Sequence, residues 1–350
     1  MLEKIGFDAE RLKYTHTGLH TFCESLGMAL VNNAASDQQI TAYVPPQAIN
    51  IFGKNTPYII QRPWHKFFLP GTSGFKVWHS TYQSSRYYPS NSSVNIVLTI
   101  HDLNFLIEKK ERPAKIRKLL KRIQNHIDRA SVIVCISHFV ADQVKQYLNI
   151  GLKPLEVIYN GCTINDFPEF NSPGYTPQNP FLFSIGTILP KKNFHVLPAL
   201  LKGNDYELII AGNFSSIQYV EEVLAEAKKH DVTSRVKIIG SISDEERSWY
   251  YRNCKAFVFP SIAEGFGLPV IEAMHYGKPV FLSTLTSLPE IGSDAAYYFK
   301  NFEVSHMQEI LKEGLEDFLT GDMEHRARKR ATVFNWDETA KKYLGIYRSL

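Results

Sequence analysis

No stretch of this 350-residue sequence reaches the roughly 18 consecutive apolar residues of a membrane span. Its most apolar runs, Val94–Ile100 and Ser131–Ile136, are strand-length and give way to polar residues. Cysteine is scarce. Cys23, Cys135, Cys162 and Cys254 form no C-x-x-C pair or other metal-ligand spacing, so buried, reduced thiols are expected. Glu3, Asp8 and Glu10 stand where a signal peptide would be basic and then apolar, so a cytoplasmic chain is expected. No G-x-G-x-x-G follows the first apolar run, which argues against a dinucleotide oxidoreductase. Charge of one sign is also lacking: the net charge of +4 is too small for a dedicated nucleic-acid binder.

What is present is an ordinary globular composition, 44% hydrophobic and 21% charged, long enough for two domains. In the second half, apolar runs alternate cleanly with helical patterns. Strands are predicted at Phe181–Ile185, Tyr206–Ala211, Arg235–Ile239, Ala256–Phe259 and Pro279–Leu282. Helices are predicted at Asn193–Lys202, Ser216–His230, Asp244–Asn253 and Leu268–Tyr276. The first half follows the same plan more loosely, with strands at Lys4–Phe7, Gln39–Tyr43, Phe75–Trp78, Asn95–Ile100 and Ser131–Ile136. Its helices are expected at Gly18–Val31, Pro113–Asp128 and Ser137–Leu148. Continuous apolar strands separated by helices indicate parallel sheets covered on both faces. Asn171–Pro180, NSPGYTPQNP, is dense in turn formers and reads as the linker between two doubly wound α/β domains. In such sheets ligands sit at the carboxyl ends of the strands.

The charge is unevenly shared, +6 over residues 1–170 and −2 over residues 171–350. Most of the basic excess lies in Glu108–Arg129, where Ile116, Leu119, Leu120, Ile123 and Ile127 form an apolar stripe at helical spacing. A surface helix with a solvated basic face is the plain reading; contact with an anionic membrane through Pro113–Asp128 is the sharper one. Pro57–Pro89 carries nine aromatics and four Lys/Arg and no acid, a composition that suits carbohydrate or lipid head groups. About half of such aromatics are expected in the core.

The sharpest local signal is Glu264-Gly-Phe-Gly-Leu-Pro-Val-Ile-Glu272, directly after a strand. A strand feeding a glycine-containing loop and then a helix presents backbone N–H groups to an anion or sugar hydroxyl. Carboxylates at Glu264 and Glu272 suit the many hydroxyls of a polyol. PSIAEGFGLPVIEAMHYGKPV resembles the signature of family 4 of the retaining glycosyltransferases, whose two glutamates form an E-x7-E motif and whose fold is GT-B, two Rossmann-like domains facing across a cleft. Phe183-Ser-Ile-Gly-Thr-Ile-Leu-Pro-Lys-Lys-Asn193 is similar to that family's donor-phosphate loop, and Ser287–Ala296, Thr99–Leu103, Ile136-Ser137 and Val157–Gly161 also fit.

The resemblance implies domains at 1–170 (acceptor), 171–335 (nucleotide-sugar donor) and 336–350, a last helix crossing back to the first. It implies that Glu264 contacts the transferred sugar, assisted by backbone N–H groups around Phe266, Gly267 and Leu268. Glu272 would hold the ribose, and Lys192 the diphosphate leaving group, with Gly186 and Thr187 in the same loop. Many family members carry Arg where this chain has Thr187, so Lys191 is expected to substitute as the second phosphate clamp. His101 is expected beside the donor sugar or acceptor, with Asp102 fixing its tautomer or capping the next segment, and Gly18 at the mouth of the first helix. The implied activity is retaining hexosyl transfer from a nucleotide-diphosphate sugar to a glycan or lipid-linked acceptor, in surface-polysaccharide synthesis. No cofactor and no metal are expected, because cationic side chains take the place of Mg²⁺. The place of action would be the cytoplasm, peripherally at the inner face of the membrane. A non-catalytic GT-B partner subunit, a nucleotide-sugar epimerase and a phosphorylase are the alternatives. The motif strings G-T-x-x-P-K-K-N and S-L-P-E-I resemble mannosyl- and rhamnosyltransferase-like members.

Overall fold

The computed structural model describes residues 2–15, 17–72 and 74–350. The chain divides into two compact units, Met1–Thr163 with Phe334–Leu350, and Ile164–Val333.

The first unit is a seven-stranded sheet of β1 (Glu3–Asp8), β2 (Gln38–Val44), β3 (Tyr58–Ile60), β4 (Val77–Ser80), β5 (Asn95–Ile100), β6 (Val132–Cys135) and β7 (Leu155–Val157). Every pairing is parallel and the order is β3-β2-β1-β4-β5-β6-β7. Strand order reverses between β1 and β4, where Ile5 is opposite Val77 and Asp8 opposite Ser80. The central strands are buried on both faces, as their continuous apolar runs require. One face packs Phe7, Phe22, Leu26 and Val97 against the last helix, Trp336–Ser349. That helix is capped by the Asn335 side chain, which accepts from the N–H groups of Asp337 and Glu338. Two buried hydrogen bonds tie it down and a third joins their partners: Tyr343 Oη lies 2.9 Å from Thr99 Oγ1, Tyr347 Oη 2.6 Å from His79 Nδ1, and His79 Nε2 2.7 Å from Thr99 Oγ1. The other face holds Tyr43, Phe75, Trp78 and Tyr88. These are the core share of the aromatic segment, whereas Trp64, Phe67 and Phe68 are exposed.

The second unit is a six-stranded parallel sheet of β8 (Phe181–Ile185), β9 (Glu207–Ala211), β10 (Val236–Gly240), β11 (Ala256–Phe259), β12 (Val280–Ser283) and β13 (Tyr297–Phe299). Its order is β10-β9-β8-β11-β12-β13, so the reversal falls between β8 and β11. The helices Ile217–Lys229, Asp244–Asn253 and Leu268–His275 flank it, the first two capped by Ser216 and Ser243. None of the four cysteines forms a disulfide, and burial pushes the thiols of Cys23, Cys135 and Cys254 up to about 12.

Four expectations are corrected. The fourth strand is Val77–Ser80, not Phe75–Trp78, because Phe75 leaves the ladder to pack with Trp78 and Tyr43. Asn193–Lys202 is a 3₁₀ helix over Phe194–Leu201: Asn193 is left-handed at φ 57°, and Pro198 removes an N–H from the interior. Asn171–Pro180 is no free linker. The buried carboxylate of Glu207 accepts from Tyr175 Oη at 2.5 Å and from the N–H groups of Gln178 and Asn179, and Tyr250 Oη donates to Tyr175 O. Those bonds strap the segment to the second unit. The break therefore lies at Thr163/Ile164, ahead of the expected residue 170, and the return at Val333/Phe334, just before 336.

A candidate sugar-nucleotide site at the strand switch of the second unit

The two sequence strings singled out above are the loops that leave β8 and β11, the neighbouring strands at the reversal in the second sheet. The β8 loop rises at Gly186, whose N–H donates to Ala211 O. Gly212 crosses directly behind at φ 143°, and a Cβ there would run into the Gly186 carbonyl. The loop then closes in a short 3₁₀ turn, Pro190–Lys192. The carbonyl of Lys191 ties it to the β11 loop, accepting from Ile262 N at 2.9 Å and Ser261 Oγ at 3.0 Å.

This clamp brings Lys192 to Glu264. Lys192 Nζ lies 2.5 Å from Glu264 Oε1, with both side chains largely buried and 11% and 14% exposed. The ammonium also sits 4.8 Å over the Phe259 ring, and its stem lies against Gly186. Glu264 is held from below: its N–H donates to Thr286 Oγ1, and Ser287 Oγ donates to the carbonyls of Glu264 and Phe266. Thr286 is itself left-handed, φ 58°. Gly267, at φ 128°, turns the chain into the Leu268–His275 helix, where Pro269 stands in the first turn. Glu272 is on that helix, 3.8 Å from Arg247 Nη1. Burial raises its carboxyl above the ordinary range, opposed by the Arg247 charge and a Tyr251 hydrogen bond.

The structure thus gathers Gly186, Lys191, Lys192, Glu264, Phe266, Gly267 and Leu268 onto two tied loops, with Glu272 one helical turn further on. Thr187 is exposed on the β8 loop. Sequence reasoning assigned no role to Thr286 and Ser287, which support Glu264, or to Phe259, Arg247 and Gly212. Ser287 belonged to a matched string, but nothing in its local pattern says which carbonyls it reaches.

In the first unit, His101 follows β5 and is 7% exposed. Its Nε2 is 2.7 Å from the Thr81 carbonyl, which can only accept, so Nε2 carries the proton and Nδ1 is the free acceptor position of a neutral ring. Burial pulls its pKa down to about 4, with Phe22 edge-on at 4.6 Å. Thr81, not Asp102, therefore fixes the tautomer. Asp102 Oδ1 accepts from Asn104 N two residues on, and the short helix that follows, Phe105–Glu108, has no side-chain cap. Gly18 opens the first helix, Gly18–Asn33, and is exposed. A residue without any sequence signal is Asp8 at the end of β1. It is buried, bonded to Ser85 Oγ at 2.6 Å and Glu10 N at 3.1 Å, and burial raises its pKa to about 7.

The family 4 glycosyltransferases match residues 38–165, and the glycosyl transferases of group 1 match residues 167–334. Together these two domains take in most of the chain. The chain belongs to the GT-B glycosyltransferases of group 1 and family 4. It is similar to the O-antigen chain mannosyltransferase B of Escherichia coli, 24% identical over 295 residues, 77% of this chain and 74% of that protein. It is also similar to the serotype-specific mannosyltransferase WbdA of Escherichia coli, 27% identical over 263 residues, 70% of this chain but 32% of WbdA, so it spans about a third of that relative. Its fold is that of Anabaena HepE solved in complex with UDP-glucose, at a TM-score of 0.72 and 16% identity, covering 99% of this chain and 100% of HepE. Among the described residues of this glycosyltransferase, no helix is long and apolar enough to cross a membrane.

Proposed function

We propose that this glycosyltransferase transfers a hexose, mannose first among the candidates, from a nucleoside-diphosphate sugar to a glycan or lipid-linked acceptor in surface-polysaccharide synthesis, with retention of configuration and without a metal. The observation that carries the reading is the Lys192–Glu264 pair at the switch point of the second sheet, where α/β folds bind ligands. The mannosyltransferase relatives support the sugar, and the UDP-glucose complex of HepE supports the donor class.

In this reading the diphosphate displaces Glu264 from Lys192. The ammonium then faces the charge that develops on the departing phosphate, and the freed carboxylate turns to the sugar hydroxyls. Glu272 takes the ribose hydroxyls. The bond from the anomeric carbon to the phosphate oxygen breaks as the acceptor oxygen bonds to the same face, and the acceptor proton passes to the leaving diphosphate. His101, held neutral, can accept a hydrogen bond at Nδ1 from an uncharged hydroxyl. Lys192 is the proposed counter-charge in place of a metal, because its ammonium stands at the end of the β8 loop beside Glu264. The cytoplasm is the proposed compartment, where nucleotide sugars are made available, with the basic face of Pro113–Asp128 resting on the inner membrane surface.

A panel of GDP-mannose, dTDP-rhamnose and UDP-glucose, read by thermal shift and by slow release of free sugar, tests this. One donor should stabilise the protein and be hydrolysed; binding by none would refute the assignment.

A further inference from the structure

A second depression, of about 510 Å³, opens on the first unit where the basic helix meets the aromatic segment. Arg122, Asn125, His126 and Arg129 face it from one side of the Pro113–Arg129 helix, at spacings that share a face. Lys66, Phe67, Arg86 and Tyr88 close the other side. Four permanent cations line it and no carboxylate does, and among the described residues none of the four has an ion-pair partner.

The two helical arginines are held in place. Arg122 Nη2 donates to Ser84 O at 2.7 Å and Arg129 Nη2 to Pro89 O at 3.1 Å. Each is pinned through one terminal nitrogen, and a guanidinium has five N–H donors to share. Arg129 lies 4.6 Å over the Tyr88 ring, and the His126 ring stacks on Tyr88 at 5.0 Å and 12°. Burial, followed by the charges of Arg122 and Arg129, pulls the His126 pKa down to about 4, so the floor is neutral and aromatic. Lys66 and Arg86 are exposed at the mouth, and Phe67 beside them is 81% exposed.

Like charges fixed around one depression repel, and the repulsion falls when a multivalent anion occupies it. Planar guanidinium forks pair with phosphate oxygens bidentately, and two of them here can share the several oxygens of one phosphate group. An exposed phenylalanine at the mouth suits a ligand whose charged group continues into an apolar stem.

We propose that this pocket binds a phosphate or diphosphate group, with Arg122 and Arg129 as the built donors, Lys66 and Arg86 as the mouth, and Phe67 against the stem that carries it. As the anchor of a phosphate-linked acceptor, it rests on the glycosyl-transfer reading; as a binding site it does not.

The test is calorimetric titration of the full chain with farnesyl diphosphate and, separately, inorganic diphosphate, each with the nucleotide site saturated by nucleoside diphosphate. Saturable one-to-one binding is expected, weakened tenfold or more by the paired substitutions Lys66→Glu and Arg86→Glu, both at exposed positions. Charge reversal at Lys118 and Lys121, on the same helix but outside the pocket, should change affinity less than twofold. Tighter binding of farnesyl diphosphate than of the inorganic ion identifies a lipid-borne headgroup, and equal binding identifies the free anion; either keeps the site. No saturable binding, or equal losses in both paired variants, overturns it. Silence from the nucleoside diphosphate itself would count against the donor site alone and leave this result standing.

Discussion

Both sheets reverse their strand order once, and the two reversals handle charge in opposite ways. Between β8 and β11 the second unit keeps a full ion pair, Lys192 with Glu264, at the end of two loops tied back to back. Between β1 and β4 the first unit instead buries Asp8 and His101, and burial penalises the charged form of each, raising the Asp8 carboxyl to about 7 and pulling the His101 imidazole down to about 4. Thr81 links the two, donating to Asp8 O and accepting from His101. A paired charge can be exchanged for an incoming diphosphate. In the proposed transfer, the buried His101 would instead favour an uncharged hydroxyl, because an unmatched buried polar group costs about 1–3 kcal/mol. The division matches a donor whose leaving group carries the charge and an acceptor that presents a hydroxyl.

The largest effect is expected from Glu264→Ala, which should lower transfer about 10²- to 10³-fold, the usual cost of one preorganised polar group, while nucleoside-diphosphate binding survives. Product formation and nucleotide titration on the same preparation check both halves. Next comes Asp8→Asn. Native Asp8 keeps its proton to about 7 while the unfolded side chain ionises near 3.8, so the native state binds the extra proton in that window. Wild-type stability measured against Asp8→Asn should therefore fall by a few kcal/mol, about 4 at most, as pH rises from 4 to 7, and then level off. Urea unfolding of both proteins at pH 5 and pH 8 reads the difference; a constant difference would reject a neutral Asp8. Gly212→Ala should destabilise the second unit by about 2 kcal/mol, since its φ of 143° and the Gly186 carbonyl leave no place for a Cβ. The β8 loop would shift with it, and hydrogen exchange should rise there but not in the first sheet. The smallest effect is expected from His101→Gln, about tenfold or less on transfer and none on nucleotide affinity.

Much of the donor loop was legible because its signals are local. Gly186, Lys192 and the Glu264–Glu272 string each follow a strand, and strand end, glycine and helix start are written in consecutive residues. The supports were not legible: Thr286 and Ser287 reach Glu264 from a loop 22 and 23 residues further on, a pairing only the parallel register of β11 and β12 creates. Asn171–Pro180 misled for the opposite reason. Its Pro and Gly content signals freedom, but Glu207, buried at the start of β9, collects its donors and fixes it. The three-residue strands β3, β7 and β13 escaped because so short a run has no period to detect. Asp8 was hidden because a lone aspartate at a strand end looks solvated until Ser85 and Glu10 are folded over it.

Lys192 is the group that the proposed transfer requires to hold the diphosphate. The direct measurement is the affinity of the wild-type chain and of Lys192→Ala for the nucleoside diphosphate of the preferred donor and for the matching monophosphate. A charge-assisted contact of this kind contributes about 1.5–3 kcal/mol, so Lys192→Ala should bind the diphosphate about 10- to 100-fold more weakly and lose most of its preference over the monophosphate. Unchanged diphosphate affinity in Lys192→Ala would contradict the central claim.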